Sequence, residues 1–434
     1  MQSRRQLLQG LGLAAGASLL SGGARASLPA GPAPLKILQI FLFRAPAHSQ
    51  TLWMPHNGPF GDPVSARIPS AAGAYRQIHA TDTTHPGLDH AVMLGDGFHP
   101  LAELGGVART HLVAMRAPFS AHTLAASYAL SGINIGNPAA VSLGARIQDA
   151  WGTGDMPASW VLDPEQNATL TSLATATGSL GLHARPFVVP VGRPFVSRLS
   201  RANRSNTDSL LTAYRARYER RLRHSTGPVR APEFGIYNDA MARMAAWEQT
   251  HGVLSDGPDV ETFESNSYTS NGITKSVQLG VHLLHEGARH VTIIGGRNAA
   301  PDFDTHQIDN HDTAHSSHHN AIIWGICEAL RTAEHLDLDS TLVVFHAEFG
   351  RFLDGVNGSE HWADAYASLL FGGPINTPGL TGRLSYQSES NGIVRSSTTE
   401  TDSITPSMLL DGLAQLAGEP DDSNPGPILN LIQQ

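Results

Sequence analysis

Asp302, Asp304 and His306 fall within one short stretch, Gly295-Gly-Arg-Asn-Ala-Ala-Pro-Asp-Phe-Asp-Thr-His306, directly after an apolar run that ends at Ile294. Carboxylate oxygens and imidazole nitrogens at that spacing suit zinc or a similar divalent ion, and a loop leaving a strand can aim several ligands at one point. A second stretch, Ser340-Thr-Leu-Val-Val-Phe-His-Ala-Glu-Phe-Gly-Arg351, ends another apolar run in charged residues. A charge at the end of a buried strand must be paired or bound to a ligand. Either Glu348 and Arg351 form a salt bridge that braces a loop, or Glu348 is a metal ligand or general base and Arg351 an anion clamp. Ten residues on, Asn357-Gly-Ser-Glu-His-Trp362 offers His361 as a third imidazole. Earlier in the chain, Arg44-Ala-Pro-Ala-His48 follows the first apolar run, and Ser120-Ala-His-Thr123 precedes a helical pattern beginning near Leu124. A hydroxyl there is either an N-cap or a nucleophile favoured by the helix dipole, with His122 able to orient or deprotonate Ser120 or Thr123. His311, His315, His318 and His319 follow; the spacing from 311 to 315 and from 315 to 319 fits one helix face, and the four read as a solvated helix surface, with a role in orienting ligands as the alternative.

The elements that must position these groups alternate along the chain. Continuous apolar runs at 35–43, 111–115, 160–162, 187–191, 290–294, 341–345 and 368–371 read as strands buried on both faces. Helical patterns at 208–222, 237–249, 275–285, 314–333 and 406–417 lie between or after them. The alternation predicts an α/β fold with a large, mainly parallel sheet and helices on both faces. In such sheets ligands bind beyond the carboxyl ends of the strands. Asp304, His306, Glu348 and His361 are therefore expected to converge there, with His48 and His122 facing the same cleft.

The chain opens Met1-Gln-Ser-Arg-Arg-Gln-Leu-Leu8, runs apolar to Leu20 and reaches Ala24-Arg25-Ala26. Paired arginines, a short apolar stretch and a small-x-small site predict a twin-arginine export signal over 1–26. Residues 27–434 then form a single α/β domain with a helical insertion at about 195–265. The mature form has no stable membrane span, and its location is periplasmic or secreted. The single cysteine, Cys327, excludes an intrachain disulfide and reads as a small core residue. The net charge of −9 and the lack of a basic run interleaved with aromatics exclude nucleic acid as a partner. The arginines between Arg193 and Arg223 read as one face of a solvated helix.

Taken in order, several motifs resemble the exported bacterial family known as domain of unknown function 1501, grouped with the alkaline phosphatase/sulfatase superfamily. They are the Arg-Arg leader, a first strand ending at Arg44, Gly97-Phe-His-Pro-Leu101, the Ala121-His122 pair, Asp304-Thr-His306, Glu348-Phe-Gly-Arg351, Glu360-His-Trp362 and Leu370-Phe-Gly-Gly373. The resemblance implies an alkaline phosphatase/sulfatase-like sheet holding one or two divalent ions, zinc first, with manganese, calcium or magnesium also fitting. His48, Asp302, Asp304, His306, Glu348 and His361 would be the metal ligands. The catalytic groups would be Ser120, His122, Thr123 and Arg351. The implied activity is hydrolysis of a phosphate or sulfate ester, either a small molecule or a sulfated or phosphorylated glycan, after passage through the twin-arginine translocase. The chain departs from the family at three places. Ala-Pro-Ala-His48 stands for Gly-Gly-x-Asp, Ala121 for the usual serine, and Glu360 for the usual aspartate. The missing hydroxyl at Ala121 favours the alternative of a catalytically silent relative that binds metal or polysaccharide, or scaffolds an exported complex.

Overall fold

A computed structural model describes residues 35–48, 51–52, 54–55, 76–77, 92–152, 157–164, 167–189, 272–295, 303–304, 316–354, 358–373, 375, 379–388 and 394–418. The export signal, the insertion near 195–265 and the helical patterns at 208–222 and 237–249 lie outside these residues.

Among the described residues, fifteen strands run in chain order: β1 (Lys36–Leu42), β2 (Met54–Pro55), β3 (Arg76–Gln77), β4 (Val92–Leu94), β5 (Thr110–Met115), β6 (Ser159–Leu162), β7 (Phe187–Val189), β8 (His290–Gly295), β9 (Thr341–His346), β10 (Gly350–Asp354), β11 (Gly358–Trp362), β12 (Tyr366–Gly372), β13 (Gly379–Thr381), β14 (Ser385–Ser388) and β15 (Val394–Ser397). Eight of them form the main sheet, in the order β13-β5-β12-β9-β1-β8-β6-β7. β1 pairs in parallel with both β8 and β9, and only β12 runs against its neighbours. The mainly parallel α/β sheet expected from the alternation is thus present. A four-stranded antiparallel sheet, β11-β10-β15-β14, grows from the chain just after β9, and a small one is built from β2, β4 and β3.

Six helices cover the main sheet: α1 (His122–Ser131), α2 (Leu143–Trp151), α3 (Ala168–Ala174), α4 (Gly272–His285), α5 (Ser316–Thr332) and α6 (Pro406–Leu416). Leu38, Val291 and Ile293 point toward α4, where a Cβ on Gly280 would stand 3.0 Å from Leu38 Cδ1. On the opposite face Phe41, Val161 and Ile294 pack with Ala126 and Ala129 of α1 and Leu170 and Leu173 of α3. Helices on both faces explain why the strands read as unbroken apolar runs: neither face meets water. Cys327 is buried in α5, as expected. At Gly97 the backbone lies so close to α5 that a Cβ would come within 2.5 Å of the Asn320 carbonyl oxygen. The requirement there is space, which a glycine alone provides.

One polar seam crosses this apolar layer. Gln39 of β1 bonds the His346 ring of β9 at 2.8 Å, and its carbonyl accepts from Thr292 Oγ1 of β8 at 2.9 Å. His290 lies 3.1 Å from Gln39 Oε1 and 2.8 Å from Ser159 Oγ of β6. All five side chains are buried, so the seam is stable only because its members satisfy one another. No helix among the described residues is long and apolar enough to cross a membrane.

Candidate metal centre

Three adjacent strands, β9, β1 and β8, deliver their carboxyl ends to one place. β1 leads into Arg44, the chain after β8 reaches Asp304, and β9 leads into Glu348. β10 and β11 form a hairpin in which Arg351 pairs with His361. Beyond β5, α1 starts at His122. Ligand atoms of His122, Asp304 and His361 all lie within 4.8 Å of one another, the one such group of three among the described residues. His122 Nε2 is 3.7 Å from Asp304 Oδ2, and the His122 and His361 rings meet edge to face with centroids 4.3 Å apart. Phe43 and Phe349 flank the His122 ring at 5.5 and 5.0 Å.

Two members of the group, His122 and Asp304, are held from behind. Glu348 is wholly buried, and its Oε1 accepts from His122 Nδ1 at 2.8 Å and from the Arg44 backbone N–H at 2.7 Å. With the proton of a neutral ring fixed on Nδ1, Nε2 presents its lone pair. That Nε2 is buried without a hydrogen-bond partner among the described residues, as a nitrogen meant for a cation would be. Burial alone would lower the pKa of His122, but the Asp304 and Glu348 carboxylates outweigh it and the net shift is upward. Burial also raises the pKa of Glu348, against the hydrogen bonds from His122 and Arg44. Asp304 is held by Arg351, whose Nη2 donates to Oδ1 at 2.7 Å.

Arg351 is not placed as the exposed anion clamp the sequence suggested. Its side chain is 0% exposed, and its donors are committed to the protein. Nε donates to the carbonyls of Arg44 and Ala45 at 2.9 Å each, and Nη1 reaches Ser359 O and Oγ at 3.4 and 3.3 Å. The Glu348–Arg351 salt bridge considered as the alternative is replaced by two separate pairs, Glu348 with His122 and Arg351 with Asp304. Glu348 therefore stands behind a ligand instead of within the ligand group. His48, expected among the ligands, lies outside the group of three. Its ring is buried with Nε2 2.9 Å from Ser396 Oγ, and burial lowers its pKa to about 3. A Cβ on Gly350 would meet the His48 ring at 2.7 Å, so the imidazole fills space beneath β10. His122, expected to orient or deprotonate Ser120 or Thr123, falls in the candidate ligand group. Ser120 and Thr123 are exposed on either side of it. Asp302 and His306 lie outside the described residues. His319 is not on the surface: it is wholly buried, accepting from Ala47 N–H at 3.1 Å and lying 3.2 Å from Phe303 O. It ties the loop after β1 to the residue before Asp304.

Arg44 and Ala45 have φ of 71° and 51°, two successive left-handed residues that carry side chains. Such a conformation costs roughly 1–2 kcal/mol per residue, and here Glu348 and Arg351 hold its N–H and carbonyl groups in place. Ala45→Val is expected to lower stability by at least about 2 kcal/mol, because a β-branched residue is far less tolerant of positive φ and Ala45 has no room around it. Ala45→Gly should stay within about 1 kcal/mol of the parent, since relief of strain is offset by loss of a buried methyl. Guanidinium denaturation of the two variants checks the contrast; equal stabilities would contradict it.

The family model for "Protein of unknown function (DUF1501)" matches residues 75–397. No curated protein matches the chain in sequence. Among solved structures, it is similar to Ps i-CgsB in complex with k-i-k-neocarrahexaose, at 11% identity and a TM-score of 0.39 over 90% of this chain and 73% of that one. It is likewise similar to a protein in the alkaline phosphatase superfamily from Vibrio parahaemolyticus, at 9% identity and a TM-score of 0.39 over 92% and 70%. A third is the alkaline phosphatase from the Antarctic bacterium TAB5, at 10% identity and a TM-score of 0.37 over 90% and 100%.

Proposed function

Because the chain belongs to the DUF1501 family, whose function is unknown, we propose its activity from the site: it is an exported, divalent-metal-dependent hydrolase of a phosphate or sulfate ester. The observation that carries this reading is the convergence of His122, Asp304 and His361, with His122 Nε2 buried, facing Asp304 at 3.7 Å and making no hydrogen bond among the described residues. His122 Nε2, an Asp304 oxygen and a His361 nitrogen would hold the ion, zinc being the best match to two imidazoles and one carboxylate. A divalent ion there supplies Lewis acidity and positive charge to an anionic ester.

The chain's own groups do the rest. Glu348 fixes the His122 tautomer, Arg351 fixes Asp304, and Phe43 and Phe349 limit water around the imidazoles. Ala121 gives α1 no side-chain cap, so the first amide N–H groups of the helix remain available to an anion. Ser120 and Thr123 are the hydroxyls nearest in sequence to the missing nucleophile. Loss of turnover in Ser120→Ala or Thr123→Ala with metal retained would identify the nucleophile; unchanged turnover in both would assign attack to water. The substrate class is a small anionic ester or a sulfated or phosphorylated glycan. The test is turnover of aryl and sugar phosphates, sulfates and phosphodiesters with zinc, manganese, calcium or magnesium, and its loss on chelation. Stoichiometric metal binding without turnover would replace this reading with that of a metal- or polysaccharide-binding protein, which the alanine at position 121 favours.

Two further expectations belong to this reading. Glu348→Gln should weaken zinc affinity about 10–100-fold, the usual effect of losing the outer partner of a ligating histidine, and His122→Ala should weaken it more. Calorimetric titration measures both, and equal affinities for all three proteins would remove His122 from the site. Export through the twin-arginine route predicts that changing Arg4 and Arg5 together to lysine leaves the protein in the cytoplasm; continued accumulation in the periplasm would refute that route.

A further inference from the structure

We propose that Arg44 is the residue that recognises the oxyanion at this site, an inference that rests on the ester-hydrolase reading and assigns its anion contact. Among the described residues, the guanidinium groups of Arg351 and Arg44 reach the His122–Asp304–His361 group, and they differ in exposure. Arg351 is wholly buried and engaged by Arg44 O, Ala45 O, Ser359 and Asp304. Arg44 keeps 28% of its side chain exposed, and its Nη1 lies 3.6 Å from Asp304 Oδ2. That is the same oxygen that His122 Nε2 faces at 3.7 Å. The Arg44 guanidinium therefore lies beside the candidate ligand atoms while part of its side chain still meets solvent.

Asp304 already has a charged partner in Arg351, which bonds Oδ1 at 2.7 Å, so Arg44 brings a second cation to a paired carboxylate. The backbone points the same way. At φ 71° a side-chain-bearing residue is strained, whereas glycine would adopt the same turn freely. The N–H of Arg44 is fixed by Glu348 and its carbonyl by Arg351, so the root of the side chain is rigid and its direction is set. Strain retained at a fixed position beside a ligand cluster is the pattern of a functional contact. The planar fork of a guanidinium matches two oxygens of a tetrahedral phosphate or sulfate group, which an ammonium cannot do.

The test uses the full mature chain loaded with zinc, titrated separately with inorganic phosphate and inorganic sulfate, with zinc content measured in parallel. Arg44→Ala is expected to retain wild-type zinc and to bind both anions about 10–100-fold more weakly, the range for loss of a charge-assisted hydrogen bond. Arg44→Lys should recover part of that affinity, because it restores charge without the fork. Wild-type anion affinity in Arg44→Ala would overturn the assignment while leaving the ester reading intact. Loss of zinc together with the anion would overturn it too, by showing that Arg44 serves to hold Asp304. If zinc-loaded wild type binds neither anion and turns over no ester, the hydrolase reading falls and takes this assignment with it.

Discussion

Arg351→Met is expected to lower the unfolding free energy by about 3–5 kcal/mol, the range for removing one partner of a buried ion pair. The methionine would fill much the same space, so the loss comes from the groups left behind. Asp304 Oδ1, the carbonyls of Arg44 and Ala45 and the Ser359 oxygens would each lose a donor, most of them in a water-poor interior. Arg351→Lys should recover little, because an ammonium cannot reach groups on three sides of a planar fork. Chemical denaturation at pH 7.5 measures both variants. A change below about 1 kcal/mol in Arg351→Met would mean that the charge is not structural, and would return Arg351 to candidacy as a substrate contact.

The metal-free protein should lose stability steeply as pH falls from about 7 to 5. His48, His290 and His346 are fully buried, and burial lowers each pKa to about 3, with the nearby His346 ring adding to the shift at His290. A histidine whose folded pKa is depressed stays neutral in the fold and takes up a proton when the chain unfolds. Its contribution to stability is complete above the unfolded value of about 6.5 and declines between about 6.5 and 3. Each of the three should forfeit roughly 2 kcal/mol by pH 5, at about 1.4 kcal/mol per unit. His122 and Glu348, whose pKa values are raised, bind protons more tightly in the fold and return part of this. A net loss of at least about 3 kcal/mol between pH 7.5 and pH 5 is therefore expected in a chelating buffer. The loss should shrink in His290→Gln, which removes one of the three proton-uptake sites. A flat stability profile over this range would show that these imidazoles meet water.

The strands were legible because burial on both faces leaves a continuous apolar signature. The runs at 290–294 and 341–345 became β8 and β9 with one residue added to each. The patterns at 275–285 and 406–417 became α4 and α6. The antiparallel sheet of β10, β11, β14 and β15 was not read. Its strands are short, and Gly350-Arg-Phe-Leu-Asp354 looks like the loop that a Glu348–Arg351 salt bridge would brace. The site was legible in composition but not in roles. Sequence spacing brought Asp304, Glu348 and His361 together, yet it could not show that Glu348 reaches a ligand through His122. Nor could it tell which of two arginines is sealed inside. The one available signal for Arg44 was its position at a strand end, where the chain must turn.

The hydrogen bond from Arg44 to Glu348 spans 304 residues, and those from Arg351 back to Arg44 and Ala45 span 307 and 306. During synthesis at roughly 5–20 residues per second, the first strand waits on the order of 15–60 s before the partners of its turn exist. Until then nothing holds Arg44 and Ala45 at positive φ, and the nascent segment should sample ordinary extended backbone. The left-handed turn is thus a late event, closed only when the β10–β11 hairpin arrives. A ribosome stalled before Arg351 would carry the β1 segment without the partners that hold the turn after it.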